Sequence, residues 1–559
     1  MSDTPQQSSL GLISRSVRLA VQLLGVLAVG LIIVGGVLAW RLTSGPISIA
    51  FLTPYFETAL SSRTGSYVID VDDTILKWVG GDRAVDLILR GAQVLSPEGQ
   101  MFAQVPELSI SLSAPALMRG EIAPKSLFIS GAKISVIRNF DGSLGIELPQ
   151  GQRSSEGLVL NLLEEFVRTS EDETALAELS RIEIDNASVS VDDRQMGVVW
   201  KAPKANMTLN RGATGLAGRA RLDLELGSQL ANVTIHGSFL SVNREISLTF
   251  GFADISPSRL AGISKEFEAL RLFDTPVTGF VAVRMALNGI VESVDFDLES
   301  DAGQISVPGP FPLQAVIRSA RARGAFDQAR SVLDIENLTL DFGDNQSIQV
   351  PKPVNHRVPI RGISASVRYW LESEKLEVGS FVADLAGPKL EATAVVQEIA
   401  DELNFELSGT ALNFGFKGLD TYWPETFGSI AREWIVKNIP EGEVPTARAK
   451  ISGQWNAAKG VSVDTLIGDM IIRNATVDYL APMPPVRKAS VSAKFNLKTF
   501  DIKVASGHAP GLEVEEGRIL FTGLDQFDQF ADIDMTIRGS LKSALRLIDS
   551  EPLEFAKAV

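Results

Sequence analysis

Hydrophobic residues recur at every second position along much of this 559-residue chain, and that period decides which folds are open to it. Leu108, Ile110 and Leu112 alternate with Ser109, Ser111 and Ser113, and Leu222, Leu224 and Leu226 with Arg221, Asp223 and Glu225. Val281 and Val283 continue the pattern, followed by Val294, Phe296 and Leu298 against Asp295, Asp297 and Glu299. Phe495 lies in another such run, and Ile533 and Ile537 close the series beside Asp532 and Asp534. Alternation of this kind gives a strand one apolar face and one wet face. Turn signals such as Asp141-Gly142 and Asn288-Gly289 separate the runs. The chain reads as mostly β, in antiparallel meander order.

A sheet built from so many strands cannot remain flat, because strands twist with a fixed hand and long sheets curl. Two outcomes fit the alternation. The strands close into sandwiches that bury one another's apolar faces. Otherwise they form one long, curled antiparallel sheet, groove-like or taco-like, with a few short capping helices and an open apolar side. In the second case the apolar residues named above line the groove. Acyl chain is then the natural cargo, since each methylene kept from water is worth ~0.8 kcal/mol.

Helical periodicity is confined to short stretches. Residues 151–180 read as a helical insertion, and 424–439 as a helix that starts with Pro424 and stops before Pro440 and Gly442. Phe427, Ile430, Trp434 and Ile435 fall on one stripe of it, which predicts docking onto a sheet. Residues 19–40 are different. From Leu19 to Trp40 the run is apolar apart from Gln22, and 22 residues at a rise of ~1.5 Å cover roughly 33 Å, enough to span a bilayer core. Arg15 and Arg18 precede the run and Trp40 suits an interfacial position, so the expected topology is a single pass with the N-terminus cytoplasmic. A cleaved signal peptide is the competing reading, but the run exceeds a usual signal core and no Ala-x-Ala site ends it.

The expected organisation is therefore a tail (1–18), an anchor (19–40), an N-terminal β region (41–150), the insertion (151–180) and a β-repeat region (181–350). A last β region (351–559) carries the 424–439 helix and reads as an array cut mid-course at its C-terminal end.

Chemistry is sparse in this sequence. A net charge of −16 disfavours nucleic acid, whose phosphates need a basic surface. There is no cysteine, which excludes disulfides, thiolate metal sites and a cysteine nucleophile. His236, His356 and His508 are scattered and none has metal-ligand spacing. Neither a phosphate-cradling Gly-rich loop nor a nucleophile elbow is present. No catalytic residue, metal or cofactor is expected.

Several segments resemble a known family. Leu87-Ile88-Leu89-Arg90-Gly91, Pro106-Glu107-Leu108, Ala116-Leu117-Met118-Arg119-Gly120 and Asp141-Gly142 resemble the opening of AsmA-like proteins. Tyr422-Trp423-Pro424, Ala431-Arg432-Glu433-Trp434, Asn438-Ile439-Pro440-Glu441-Gly442 and Tyr479-Leu480-Ala481-Pro482-Met483-Pro484-Pro485 are similar to the YhdP branch. The resemblance implies a protein anchored in the bacterial inner membrane, its body periplasmic, that carries phospholipid toward the outer membrane and supports the envelope barrier. Its implied partners are phospholipid, the inner membrane and an envelope protein supplying direction or outer-membrane docking. An assembly or regulatory factor that binds proteins at exposed sheet edges is the alternative.

Overall fold

The computed structural model describes residues 45–54, 57, 68–80, 83–95, 101–113, 116, 123–140, 144–146 and 178–555, with short gaps at 55–56 and at 228, 243, 287–289, 308–312, 351–353, 400–401, 427, 457 and 459, and scattered positions within 25–41. Strands dominate these residues. Two compact units divide the chain. One holds Met1–Glu225 and Thr234–Ile246, the other Leu226–Val233 and Ser247–Val559.

The first unit is built on β1 (Ile47–Ser48), β2 (Val68–Asp70), β3 (Asp73–Gly80), β4 (Arg83–Leu95), β5 (Met101–Leu112) and β6 (Pro124–Ser130). β7 (Lys133–Arg138), β8 (Leu144–Ile146), β9 (Arg181–Asp193), β10 (Val198–Gly212) and β11 (Gly215–Leu226) follow. The pairing is mixed. β9 runs parallel to both β6 and β7, while the ladders β3–β4, β4–β5, β5–β6, β9–β10 and β10–β11 are antiparallel. The purely antiparallel expectation is corrected here, and the physical reason is connection length. Parallel neighbours need a crossover of a dozen or more residues, which the stretch between Ile146 and Arg181 supplies.

This unit has a sealed core. Leu87, Leu89 and Ile110 are buried with Ile49, Val71 and Ala92, and Leu108, Leu112 and Leu127 pack against them. The segment after β1 holds this cover in place. Ile49 N–H donates to the Thr74 carbonyl at 2.8 Å, and the buried hydroxyls of Thr53 and Thr74 meet at 2.8 Å. A hydrogen bond between the two threonines removes the cost of burying either alone.

β12 (Gln229–Leu240) and β13 (Glu245–Ile255) straddle the division between units. The second unit continues with α1 (Pro257–Leu260), a 3-10 turn at Lys265–Leu272 and β14 (Phe273–Asp274). Its ladder starts with β15 (Val277–Ala286) and β16 (Val291–Ser300), leaves β17 (Gly303–Val307) and β18 (Leu313–Ile317) aside, and resumes at β19 (Ser319–Asp327). β20 (Val332–Val350), β21 (His356–Trp370), β22 (Lys375–Asp384), β23 (Lys389–Ile399), β24 (Glu402–Gly415) and β25 (Glu441–Asn456) come next. β26 (Gly460–Val477), β27 (Val486–Asn496), β28 (Thr499–Ala509), β29 (Leu512–Thr522) and β30 (Phe530–Gly539) complete it. Each of these fourteen strands pairs antiparallel with the next.

The helices differ from expectation in detail. α2 spans Ser429–Asn438, because Gly428 adopts a left-handed conformation (φ 55°) that breaks helical continuity toward Pro424. The docked stripe is corrected too. Ile430 is 76% exposed and Trp434 is exposed, Ile435 is half-buried, and Phe427 lies outside the described residues. Polar bonds hold this helix instead: Arg432 donates to the carbonyls of Trp423 and Asp420, and Asp478 N–H donates to the Asn438 carbonyl. A last helix, α3, spans Leu541–Ile548, capped by the Ser540 side chain.

Among the described residues no helix is long and apolar enough to cross a membrane. The expected anchor, including Leu19, lies mostly outside them. Trp40 and the scattered positions Val26, Val29, Ile33 and Val37 are helical and exposed. The insertion expected at 151–180 also lies outside, except for its last three residues.

Candidate functional site

Residues directly opposite one another in an antiparallel pair point to the same face, so register traces each face across a ladder. In the second unit one such row runs Gly279, Leu298, Ala322, Leu338, Ala365, Phe381, Ala392. It continues through Gly409, Ala449, Gly468, Phe495, Phe500, Phe521 and Ala531. No polar side chain interrupts it from β15 to β30.

The neighbouring row starts Val277, Ser300, Ala320, Leu340, Ile363, Ala383, Leu390. It goes on to Ala411, Ala447, Met470, Ala493, Ile502, Ile519 and Ile533, so Ser300 is its one polar member. On the other flank lies the row Val281, Phe296, Gly324, Ile335, Val367, Val378, Ala394, Leu407, Ile451, Leu466. A fourth row passes from Val283 and Val294 through Phe326, Leu333, Tyr369 and Leu376 to Val396, Phe405, Gly453 and Val463. At ~4.8 Å between strands the fourteen-strand ladder carries this apolar band for about 60 Å.

Three β-bulges keep the band on one side. Along β20 the rows step from Leu338 to Ile335, along β22 from Phe381 to Val378, and along β26 from Leu466 to Val463. Each step is three residues where a regular strand takes two. Without the extra residue every later side chain would emerge on the opposite face.

Glycines keep the floor low. A Cβ on Gly324 would come 2.8 Å from the Phe296 ring, one on Gly453 would come 2.9 Å from the Phe405 ring, and one on Gly468 would strike Phe495. In each case the aromatic ring is the register partner of the glycine it covers. The rings lie down on the neighbouring strand, and their apolar area goes to the face.

Part of this band is roofed. The small sheet of β14, β17 and β18 brings Ile305 and Ile317 onto Phe342 and Ile360, with Ala320, Leu340 and Ile363 packed beneath. Beyond it the large side chains stay accessible. Phe381, Leu407, Ile451, Leu466, Phe495 and Ile519 are all half-buried, and Leu390 is exposed.

The structure thus places Val281, Val283, Val294, Phe296, Leu298, Phe495 and Ile533 on one apolar face, with Ile537 opposite Val514 at its margin. Leu108, Ile110 and Leu112 belong to the first unit. Ile110 is 2% exposed there, so it is sealed core and not part of an open groove. The cover of Ile49 and Val71 is the reason. Leu222 stands opposite Ala205, Leu224 is half-buried and Leu226 is buried. The small residues of the rows, from Ala322 to Gly468, were missed from sequence, since only register reveals them.

The opposite face is charged. Arg321 bridges Asp297 (3.0 Å) and Glu299 (2.8 Å), Arg368 pairs with Asp334, and Arg518 holds Asp501 at 2.9 Å. These exposed pairs contribute little each, but they keep the two sides chemically distinct. A recess of about 650 Å³ lies among the side chains of this polar face, including Glu391, Thr410, Arg448, Lys450, Asp469 and Lys494. Among the described residues no group of three His, Cys, Asp or Glu side chains is placed to hold a metal.

Hydrogen bonding from Arg518 lowers the Asp501 carboxyl below its ordinary value. Since the native group titrates lower than the unfolded one, the pair's contribution is complete above the unfolded value of about 3.9 and is lost as pH falls through the native value. Carboxyl-detected NMR titration should show Asp501 moving back up in Arg518→Met. An unchanged Asp501 would remove the pair from the pH response.

Comparison with protein-family models, with curated proteins and with solved structures finds no match to this chain.

Proposed function

We propose that the unroofed apolar face is a lipid-bearing surface and that the protein is an inner-membrane-anchored periplasmic conduit for phospholipid. Acyl chains lie along the rows of the second unit, head groups stay at the rim in water, and transfer toward the outer membrane supports the envelope barrier. The curled, groove-like arrangement and the single-pass anchor at residues 19–40 belong to the same proposal. One observation carries it: four adjoining apolar rows cross β15–β26, and large side chains of these rows beyond the β17–β18 roof are left half-buried. Leaving so much apolar surface without a packing partner is costly at ~25 cal/mol per Å², and an acyl chain of about ten methylenes laid on it would save ~8 kcal/mol. The motif resemblance to AsmA-like proteins of the YhdP branch supports the reading independently.

Face-specific crosslinking tests it. A photoreactive residue at Leu407 or Ile451 should capture phospholipid when the full chain is gently extracted and analysed by mass spectrometry. The same group at Ser408 or Lys450, on the polar side, should capture none. Ile451→Asp should reduce co-purifying lipid by more than about tenfold, because an acyl chain passing a carboxylate must desolvate it. Equal capture on both faces, or no lipid on either, would defeat the proposal.

A further inference from the structure

We infer that the polar side of the first unit carries a sugar-binding recess, sized for one pyranose ring and walled by β3–β6 and β9. The inference is independent of the lipid reading, which concerns the other unit. On β5, Leu108, Ile110 and Leu112 turn to the core, so Ser109 and Ser111 emerge on the opposite face. Register sets what surrounds them. One row runs Lys77, Asp86, Ser111, Ser126, Arg181, and its neighbour Ile88, Ser109, Phe128, Glu183. The parallel pairing of β6 with β9 is what brings Arg181 and Glu183 beside the serines. Short serine side chains stand between longer ones, and the hollow they leave holds about 220 Å³, with Glu107 completing its wall.

The chemistry of the wall selects the ligand. The Ser111 hydroxyl donates to Asp86, and Arg181 Nη2 donates to Glu183 at 2.9 Å. Arg181 Nε is buried and finds no acceptor among the described residues. A buried donor left without a partner is costly, and a ligand oxygen in the recess removes that cost. The carboxylates Asp86, Glu107 and Glu183 outnumber the cations Lys77 and Arg181, which disfavours phosphate or another anion. Among the described residues no three acidic groups are placed to hold a metal. The volume falls below the ~300–1,000 Å³ of pockets for drug-sized ligands, too small for a lipid. A small neutral molecule that both donates and accepts fits what remains. Sugar hydroxyls do both. Arg181 Nε donates to them, Asp86 and Glu107 accept from them, and Ser109 and Ser126 serve either way. Ile88 and Phe128, on either side of Ser109 in register, offer apolar surface to the C–H groups of the ring.

Calorimetric and saturation-transfer NMR titrations of the detergent-solubilised full chain test this, with glucose and N-acetylglucosamine as probes. At least one of the two should saturate at one site per chain. Arg181→Lys, which keeps the charge and loses Nε, and Glu107→Gln should each weaken that binding at least tenfold, the loss expected for one hydrogen bond to a charged group. Denaturant midpoints near the parent's identify the folded variants, and either variant suffices should the other unfold. Arg448→Gln, in the recess of the second unit, should leave binding unchanged. Cellotetraose and chitotetraose separate the sources of the sugar: binding tighter than the monomer's marks the end of a glycan strand, and equal binding a free sugar. Saturation by inorganic phosphate in place of sugar, no saturable binding, or binding indifferent to Arg181→Lys and Glu107→Gln would each overturn the inference.

Discussion

Ile110→Asp should unfold the first unit, whereas Ile451→Asp in the second should leave stability within about 1 kcal/mol of the parent. The two positions look alike in sequence, each an isoleucine in an alternating run, but their surroundings differ. Ile110 sits under Ile49 and Val71 beside Leu87 and Leu89, which are 1% and 0% exposed. An aspartate there would lose the packing of a buried aliphatic side chain and leave a carboxylate without water or partner. Together these cost about 4 kcal/mol or more, a large share of a domain's stability of roughly 5–15 kcal/mol. Ile451 is half-buried on a face that lacks a roof, so an aspartate there can reach solvent. Denaturant unfolding of both variants checks the contrast. Equal losses would mean that the second unit's face is covered in solution, and the lipid reading would lose its surface.

That contrast also shows how much the sequence could reveal. Strict alternation in β15, β16 and β30 marks the apolar side without help, and Val281, Phe296, Leu298 and Ile533 fall on it. The period breaks where the chain bulges. In β20 the apolar set is Leu333, Ile335, Leu338 and Leu340, and a reader counting by twos changes face midway. The same happens in β22 and β26. Which face is roofed was not legible either, because Ile305 and Ile317 close over Leu340 and Ile363 through contacts that no local pattern encodes. The helix at Ser429–Asn438 misled for a third reason. Its apolar stripe is real, but Ile430 and Trp434 face water while arginine and backbone bonds fasten the other side. Periodicity reports that a stripe exists and is silent on what, if anything, covers it.

Two glycines of one row should respond to alanine in opposite ways. Gly409 and Gly468 both lie on the central apolar row, separated by Ala449. A Cβ on Gly409 would meet nothing closer than the Glu391 carbonyl at 3.6 Å, an ordinary contact. Alanine there should be neutral or stabilising by up to ~1 kcal/mol, since glycine loses more backbone freedom on folding than alanine does. A Cβ on Gly468 would collide with the Phe495 ring and come within 2.5 Å of the Arg448 carbonyl. Gly468→Ala should therefore cost ~1–3 kcal/mol, the range for overpacking. Phe495→Leu in the same background should return part of that loss by clearing the ring, and the remainder measures the clash with the Arg448 backbone. If Gly468→Ala is as mild as Gly409→Ala, the ring does not lie across the glycine. The floor would then be ridged at Phe495, and the smooth passage that the proposed lipid reading requires from β26 to β27 would be missing.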